Sequence, residues 1–507
     1  MNAVFDVAII GGGINGCGCA ADAALRGLSV VLLEQDDLAS KTSSSSTKLI
    51  HGGLRYLENY EFGMVKKAIT ERQRLLDLAP HLVHPQAMVL PYEKHMRPAW
   101  FLRLGLFIYD HLSSKNRLPK CKIIYRKSTK NYFAALINKL NMGFLFYDAV
   151  TDDARLTVVN AIQAKNHGAS IRTHSTVIHA EIINNLWQLT VQPKIGSSYT
   201  LYAKSVVNAA GPWVKSVEQL TQTPDRQKIS LIKGSHIIVP QIYKGNHAYL
   251  LQHQDKRIIF VIPYHGFSMI GTTDIPLTGN NPGDASISNE ETLYLIGLVN
   301  LYFECKISEK DIIYAWSGVR ALLADESKEA RTLSRDYSYK VHFKPAPIVT
   351  IYGGKITTYR QLAEEVINQL LPTFPQMGPS ITPSTPLPGA VFEDMNFEQY
   401  TQYAKEKYKW MDKDLLERYL YTYGSRMEIF LAPCNSRESL GKKYCTYLYQ
   451  VEVDYLILEE WAQSCDDILK RRTKLDLIID EVGKNELAKY LSQVISHPFL
   501  EAPLLLH

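Results

Sequence analysis

The feature that most constrains this chain is its start. The apolar run Val7-Ala-Ile-Ile10 meets Gly11-Gly-Gly13-Ile14-Asn15-Gly16, a G-x-G-x-x-G spacing. A small-residue stretch, Cys17 to Gly27, and a second apolar run, Leu28 to Leu33, follow before Glu34. Strand, tight turn, helix, strand and terminal acid within about 30 residues is the pattern of a dinucleotide-binding βαβ unit. Each glycine has a separate task. Gly11 makes the turn, Gly13 lets the backbone approach a pyrophosphate, and Gly16 lets the helix pack close to the strand. The helix start at Ile14 and Asn15 offers N–H groups and a positive dipole end to phosphate. Glu34, beside Gln35, is expected to accept the ribose hydroxyls of an adenosine.

A chain of 507 residues implies two or three domains. Its 46% hydrophobic and 21% charged residues are those of a globular protein, and a net charge of +5 names no partner. Seven irregularly spaced cysteines argue against a disulfide framework. Cys17 and Cys19 lie two apart on the predicted helix and point in different directions, so they read as core residues and no metal is expected. The first ten residues lead straight into the glycine strand and no apolar run reaches about 18 residues. Neither a signal segment nor a membrane-spanning helix is therefore expected, and the protein reads as intracellular, with a membrane surface still open to it.

Six hydroxyl residues, Thr42, Ser43, Ser44, Ser45, Ser46 and Thr47, come next, then Lys48-Leu49-Ile50-His51-Gly52-Gly53-Leu54-Arg55-Tyr56. By composition alone this is a flexible linker. It is held, however, between Glu34 and a well-patterned helix at 61–78, and its hydroxyl and N–H groups suit wrapping a pyrophosphate and an isoalloxazine. The run TSSSSTKLIHGGLRYLE resembles the aerobic, FAD-dependent, quinone-linked glycerol-3-phosphate dehydrogenases, and the resemblance continues over nearly the whole chain. It implies an α/β fold with a Rossmann-type FAD-binding domain, glutathione-reductase-like and D-amino-acid-oxidase-like. An inserted mixed α+β substrate domain and a C-terminal helical domain complete it. The expected boundaries are 1–75, 150–225 and 315–380 for the FAD-binding domain, 76–149 and 226–314 for the substrate or cap domain, and 385–507 for the helical one. FAD contacts are expected from Thr42, Ser43, Ser44, Ser46, Lys48, Leu49, His51, Gly52 and Gly53.

Residues 94–130 carry ten Lys or Arg against one acid, Asp110, and include the apolar segment Pro98 to Asp110, which opens on a proline at a helix-start position. Aromatic bulk beside basic charge is the composition of an element that meets anionic lipid. The plainer alternative is a buried helix followed by a solvated basic loop. No nucleic-acid module accompanies the charge, and no nucleic-acid partner is expected.

The chain then returns to the nucleotide domain. A helix at 153–167 precedes a strand carrying Val177, and a hairpin ends at Asn208-Ala209-Ala210-Gly211-Pro212-Trp213. The family usually has Thr where this chain has Ala210, so a hydroxyl contact is lost. Strands at 229–240 and 257–274 and a helix at 290–303 suit the inserted domain. Two later glycine turns, at Gly318 and at Gly353-Gly354, bring Arg320, Lys355 and Thr357 back toward the flavin. A proline-rich stretch, 371–388, separates a C-terminal region of mostly helical pattern, including 444–465 and 485–494, and a basic run at 466–474 that reads as part of a helical cap or dimer surface.

Oxidising a secondary alcohol with a flavin requires a proton acceptor, a hydride facing the flavin, and cations for an anionic substrate. Carried over by motif, the substrate pocket falls on Arg55 and Tyr56 in HGGLRYLE, His236 in KGSHIIVP, Arg320 in SGVR and Lys355 in GGKITTYR. His236, Arg320 and Lys355 are the expected catalytic residues. His236 is the expected proton acceptor and His51 its rival. Where the family has proline after SGVR, this chain has Ala321, a looser loop. The resemblance implies oxidation of sn-glycerol 3-phosphate to dihydroxyacetone phosphate, with electrons passed to quinone from the inner face of the cell membrane. A homodimer is expected. The alternatives are an oxygen-using glycerol-3-phosphate oxidase on the same fold, an FAD amine or hydroxy-acid oxidase, and a non-enzymatic flavin-binding module.

Overall fold

The two apolar runs around the first glycine turn form parallel neighbours in a computed structural model that describes residues 4–54, 57, 60–223, 227–277, 279, 281–323 and 336–495. Strand Val4–Ile10 pairs with Val30–Leu33, Val7 opposite Val30 and Ile10 opposite Leu33. Helix α1, Ile14–Leu25, joins them, and Cys17 and Cys19 are buried on it. Three further strands run parallel to these, Tyr199–Asn208, Ile348–Tyr352 and Ser170–Arg172. The side chains of Val30–Leu33 and Ile348–Tyr352 are buried throughout, as a parallel sheet covered on both faces requires. Because the strands are parallel, the turns after Ile10, Leu33, Asn208 and Tyr352 open on one edge of the sheet, the edge where such folds bind ligands.

A second, ten-stranded sheet gathers the inserted segments. Val83–Pro91 pairs antiparallel with Met142–Thr151, and Ile229–Pro240 pairs with Phe267–Gly271. Helices α2, Phe62–Leu78, and α3, Ala99–His111, lie in the first insertion. Helix α4, Asp153–Asn166, returns the chain toward α1, and α5, Val214–Leu220, follows the hairpin strand. Helix α6, Asn289–Tyr302, starts on a capping box between Ser288 and Glu291 and packs Leu295 and Val299 on Ile237, Val239 and Val261 of the sheet. Helix α7, Tyr359–Asn368, completes residues 1–386, one of two units into which the chain divides. One expectation changes here. Tyr314–Leu323, expected with the FAD-binding domain, pairs along its length with Ile229–Pro240, Leu323 opposite Ile229 and Tyr314 opposite Ile238. A strand's own sequence does not say which sheet supplies its ladder, and the partner lies about 80 residues upstream.

Helix α3 is not enclosed. Only Leu106, Tyr109 and Asp110 are buried on it, whereas Trp100 is 68% and Phe107 56% exposed.

The second unit, 387–507, holds its own core of Tyr419, Leu420, Tyr423, Phe430 and Leu456. The helix expected at 444–465 is shorter than its pattern. Lys443–Cys445 and Leu448–Tyr449 form a small hairpin, and the helix spans Gln450–Glu460, ending on Trp461 in the left-handed region at φ 58°. The basic run folds inward. Arg472 is buried with a 2.6 Å bond to the Glu460 carbonyl, and Arg471 pairs with Asp467.

Candidate active site

A cavity of about 540 Å³ lies at the carboxyl edge of the parallel sheet. Sheet order sets its walls, because Glu34, Gly11, Ala209 and Gly353 each follow adjacent strands. Gly11 has φ 116°, and a Cβ there would lie 2.6 Å from the Ala209 carbonyl oxygen. A Cβ on Gly16 would lie 1.9 Å from the Gly11 carbonyl oxygen, so α1 starts where only glycine fits. The Ile14 N–H donates to Ser43 Oγ at 2.9 Å, which docks the hydroxyl run against the helix start. Asn15 Nδ2 donates to the Gly353 carbonyl at 3.0 Å, while its Oδ1, buried in the cavity wall, has no partner.

The Glu34 carboxylate accepts from the Gly12 N–H at 2.6 Å and the Asp36 N–H at 2.8 Å. Burial dominates these two bonds and pushes its pKa up to about 6. Glu34, Gln35 and Val177 line one part of the cavity, with Ala209, Ala210 and Gly211 beside them. Thr42, Ser43, Ser46, Leu49, His51, Gly318, Arg320, Gly353, Gly354, Lys355 and Thr357 line the rest, together with Gly13 and Ile14.

Several expected contacts take other positions. Lys48 turns away from the cavity, its ammonium 2.7 Å from Asp153 Oδ1, 2.9 Å from the Ser44 carbonyl and 5.2 Å from the Trp316 ring centroid. An ammonium this buried needs a carboxylate, and Asp153, at the start of α4, supplies it. Ser46 also donates to Asp153, at 2.7 Å, so the hydroxyl run is pinned to α4. Gly16, Ser44, Gly52 and Gly53 stand behind the wall and shape it without lining it. Arg55 and Tyr56 lie outside the described residues.

His236 does not open into the cavity, contrary to the expectation for a proton acceptor. Its ring is fully buried, stacked on Trp316 at 5.4 Å, with Nε2 3.0 Å from Thr47 Oγ1. Burial foremost, then the charges of Arg320 and Lys48, hold its pKa well below the ordinary histidine value. The ladder explains the placement. His236 faces Gly271 across the sheet, and a Cβ there would lie 2.2 Å from the imidazole. It is Thr47, indistinguishable by sequence from the other five hydroxyl residues of its run, that reaches the cavity.

Arg320 does reach the wall, with Nη1 2.5 Å from Asp274 Oδ1. Gly234 makes room for it, since a Cβ there would lie 2.9 Å from both terminal nitrogens. Lys355 caps the turn Ile356–Thr358 that leads into α7, with its Nζ 3.1 Å from Met64 Sδ. Thr357 Oγ1 accepts from the His51 N–H at 3.2 Å. Phe260 and Thr272 also line this part, and only the strand pattern around them hinted at it. The cavity wall thus offers backbone N–H groups, hydroxyls, a carboxyl group, two cations and an imidazole.

Residues 6–360 match the family model described as FAD dependent oxidoreductase, and residues 380–496 match that of the C-terminal domain of alpha-glycerophosphate oxidase. The chain is similar to a glycerol-3-phosphate dehydrogenase of Pseudomonas aeruginosa, 46% identical over 501 residues that cover 98% of this chain and 96% of the relative. It is 42% identical to a D-erythritol 1-phosphate dehydrogenase of Brucella abortus, with 94% and 96% of the two chains covered. The aerobic glycerol-3-phosphate dehydrogenase of Escherichia coli is 41% identical, with 96% and 97% covered. Among solved structures, the glycerol-3-phosphate dehydrogenase from Bacillus halodurans complexed with FAD shares the fold, with a TM-score of 0.74 at 24% identity over 97% of this chain and 94% of that one.

Proposed function

The chain belongs to the FAD-dependent oxidoreductase family, among its glycerol-3-phosphate dehydrogenases, and from that membership we propose that it oxidises sn-glycerol 3-phosphate to dihydroxyacetone phosphate. The residues present fit FAD. The unpartnered Asn15 Oδ1 and the glycine cradle at Gly11–Gly13 face a cavity that no protein group fills. Glu34 and Gln35 would hold the adenosine end, the α1 start and Ser43 the pyrophosphate, and His51, Gly353 and Gly354 the ring end. Bound there, FAD supplies a hydride acceptor.

The observation that carries the proposal is the pair of cations, Arg320 and Lys355, on the wall of a dinucleotide cavity. A phosphate ester carries up to two negative charges, and a guanidinium meets it with two parallel N–H donors. Arg320 would bind the anionic substrate, with Asp274 fixing the guanidinium's orientation. For the hydroxyl proton we propose His51 in place of His236, because His51 lines the cavity whereas His236 is buried behind Thr47. His51→Gln is expected to slow reduction of the flavin that remains bound by roughly 10² or more, the usual scale for a lost general base. A His51→Gln protein as fast as wild type in stopped flow removes His51 from that role.

For the electron acceptor we propose membrane quinone. A second reading, oxygen, draws on the oxidase-type match of residues 380–496. With glycerol 3-phosphate in air and no added quinone, little peroxide is expected, and turnover is expected to begin when a short-chain quinone is supplied; stoichiometric peroxide in the absence of quinone favours the oxygen reading. D-erythritol 1-phosphate, the substrate in one relative's name, is likewise a polyol phosphate and belongs in the same assay.

A peripheral seat on the inner face of the membrane is supported by α3. Among the described residues no helix is long and apolar enough to cross a bilayer. Trp100, Phe101, Leu104 and Phe107 are instead exposed on one short helix, flanked by the basic residues of 94–130. Trp100→Ser with Phe107→Ser is expected to cut co-flotation with anionic vesicles at least tenfold, the loss of two buried aromatics costing about 2–4 kcal/mol of membrane affinity. Unchanged flotation would move the seat elsewhere.

A further inference from the structure

We propose that Tyr109 is a positioning residue for the reaction, holding the His51–Gly52 turn in register against the cavity from behind. The proposal rests on the reading of this cavity as the flavin and substrate site. Tyr109 lies on α3 and is almost fully buried. Its Oη accepts from the Gly52 N–H at 2.8 Å and donates to Asp148 Oδ1 at 2.6 Å. Gly52 N–H also lies 3.3 Å from the same carboxylate oxygen. Asp148 is ion-paired with Arg72, which is wholly buried on α2 and further bonded to the Tyr147 carbonyl at 3.2 Å and Asn116 Oδ1 at 2.8 Å.

This arrangement fixes the direction of every proton. A carboxylate paired with a guanidinium only accepts, so the phenol donates to it and keeps a lone pair for Gly52. Burial and Asp148 hold the phenol far above its ordinary pKa, which keeps it neutral in that role. There is no slack in the packing either. A Cβ on Gly52 would lie 2.6 Å from both Tyr109 Oη and Ile69 Cγ1. On the other side of the turn, Thr357 Oγ1 bonds the His51 N–H at 3.2 Å and the His51 carbonyl at 3.4 Å. His51, which lines the cavity, is therefore clamped between a turn that leads into α7 and a buried triad drawn from α2, α3 and the strand Met142–Thr151. The bonds of the triad end on backbone next to His51, so loosening them moves that side chain first.

Tyr109→Phe keeps the ring and deletes the bonds. The expected protein carries flavin at wild-type stoichiometry, but the visible bands of the bound flavin shift. Its limiting rate of anaerobic bleaching by glycerol 3-phosphate falls about tenfold, on the scale of a sub-ångström misplacement, while half-saturation moves less than about twofold. Asp148→Asn gives the same spectral change, because a neutral amide oxygen holds the phenol and Arg72 less tightly than the carboxylate does. Leu106→Ala, which loosens α3 without touching the triad, leaves spectrum and limiting rate unchanged even as it lowers the melting temperature. Flavin-loaded Tyr109→Phe and Asp148→Asn proteins with wild-type spectra and rates overturn the proposal. Wild-type protein that purifies without flavin overturns the reading of the cavity on which it rests.

Discussion

Gly16→Ala is expected to yield colourless protein with sharply reduced thermal stability. The added Cβ would lie 1.9 Å from the Gly11 carbonyl oxygen, well inside contact distance, and the obstacle is backbone, which has no rotamer to yield with. Relief requires α1 to retreat from Val4–Ile10 by more than an ångström. That retreat breaks the Ile14–Ser43 bond and opens the turn at Gly11, whose own Cβ position abuts Ala209. Overpacking alone costs about 1–3 kcal/mol and more where backbone must move. Loss of bound flavin then adds its own destabilisation by mass action. Gly27→Ala is the matched control. Gly27 also has positive φ, 85°, but nothing lies within 4 Å of its Cβ position, so a cost of about 1 kcal/mol and full flavin content are expected. Flavin absorbance per protein and melting temperature measure both; a Gly16→Ala protein as yellow and as stable as wild type would show that α1 does not carry the cradle.

Arg320→Met is expected to lower kcat/KM for glycerol 3-phosphate by on the order of 10²–10³, with flavin content intact. The loss has two parts. The substrate anion loses its bidentate donor, and Asp274, 2.5 Å from the guanidinium in the wild type, keeps its negative charge near the incoming phosphate with that cation gone. The second part distinguishes Arg320→Met from the double variant with Asp274→Asn, which should regain some of the activity. Arg320→Lys restores the charge but not the fork, and recovers only part of the rate. Steady-state kinetics within threefold of wild type for Arg320→Met would take Arg320 out of the substrate site.

Local order made the nucleotide half legible. Strand, glycine turn, helix, strand and acid follow within one stretch, and the structure sets Val4–Ile10, Ile14–Leu25 and Val30–Leu33 where periodicity and glycine spacing put them. The later returns at Ala209 and Gly353 reach the same cavity because each follows a strand whose end lies on its wall, whereas Gly318, expected in a turn, reaches it from the middle of the strand Tyr314–Leu323. What the sequence did not disclose depends on partners far along the chain. Lys48 was expected among the FAD contacts and is instead paired with Asp153, 105 residues on. His236 sat on a strand expected to face the pocket, yet a glycine on the neighbouring strand leaves room for its ring to stack on Trp316 with Nε2 on Thr47. The strand Tyr314–Leu323 changed sheets for the same reason, a ladder partner that no local pattern names. Helix α3 was readable as apolar and basic, but whether its aromatics were covered was decided only by which three of its residues meet the core.

Anaerobic titration of the purified, flavin-loaded protein with glycerol 3-phosphate, set against glycerol, tests the central claim most directly. It interrogates the cofactor, the alcohol and the phosphate clamp together. Complete bleaching of the flavin bands by micromolar to millimolar glycerol 3-phosphate is expected, the usual range of substrate half-saturation, with no bleaching by glycerol at the same concentrations. Equal bleaching by both alcohols, or none by the phosphate ester, would contradict an oxidoreductase whose pocket is built around Arg320 and Lys355.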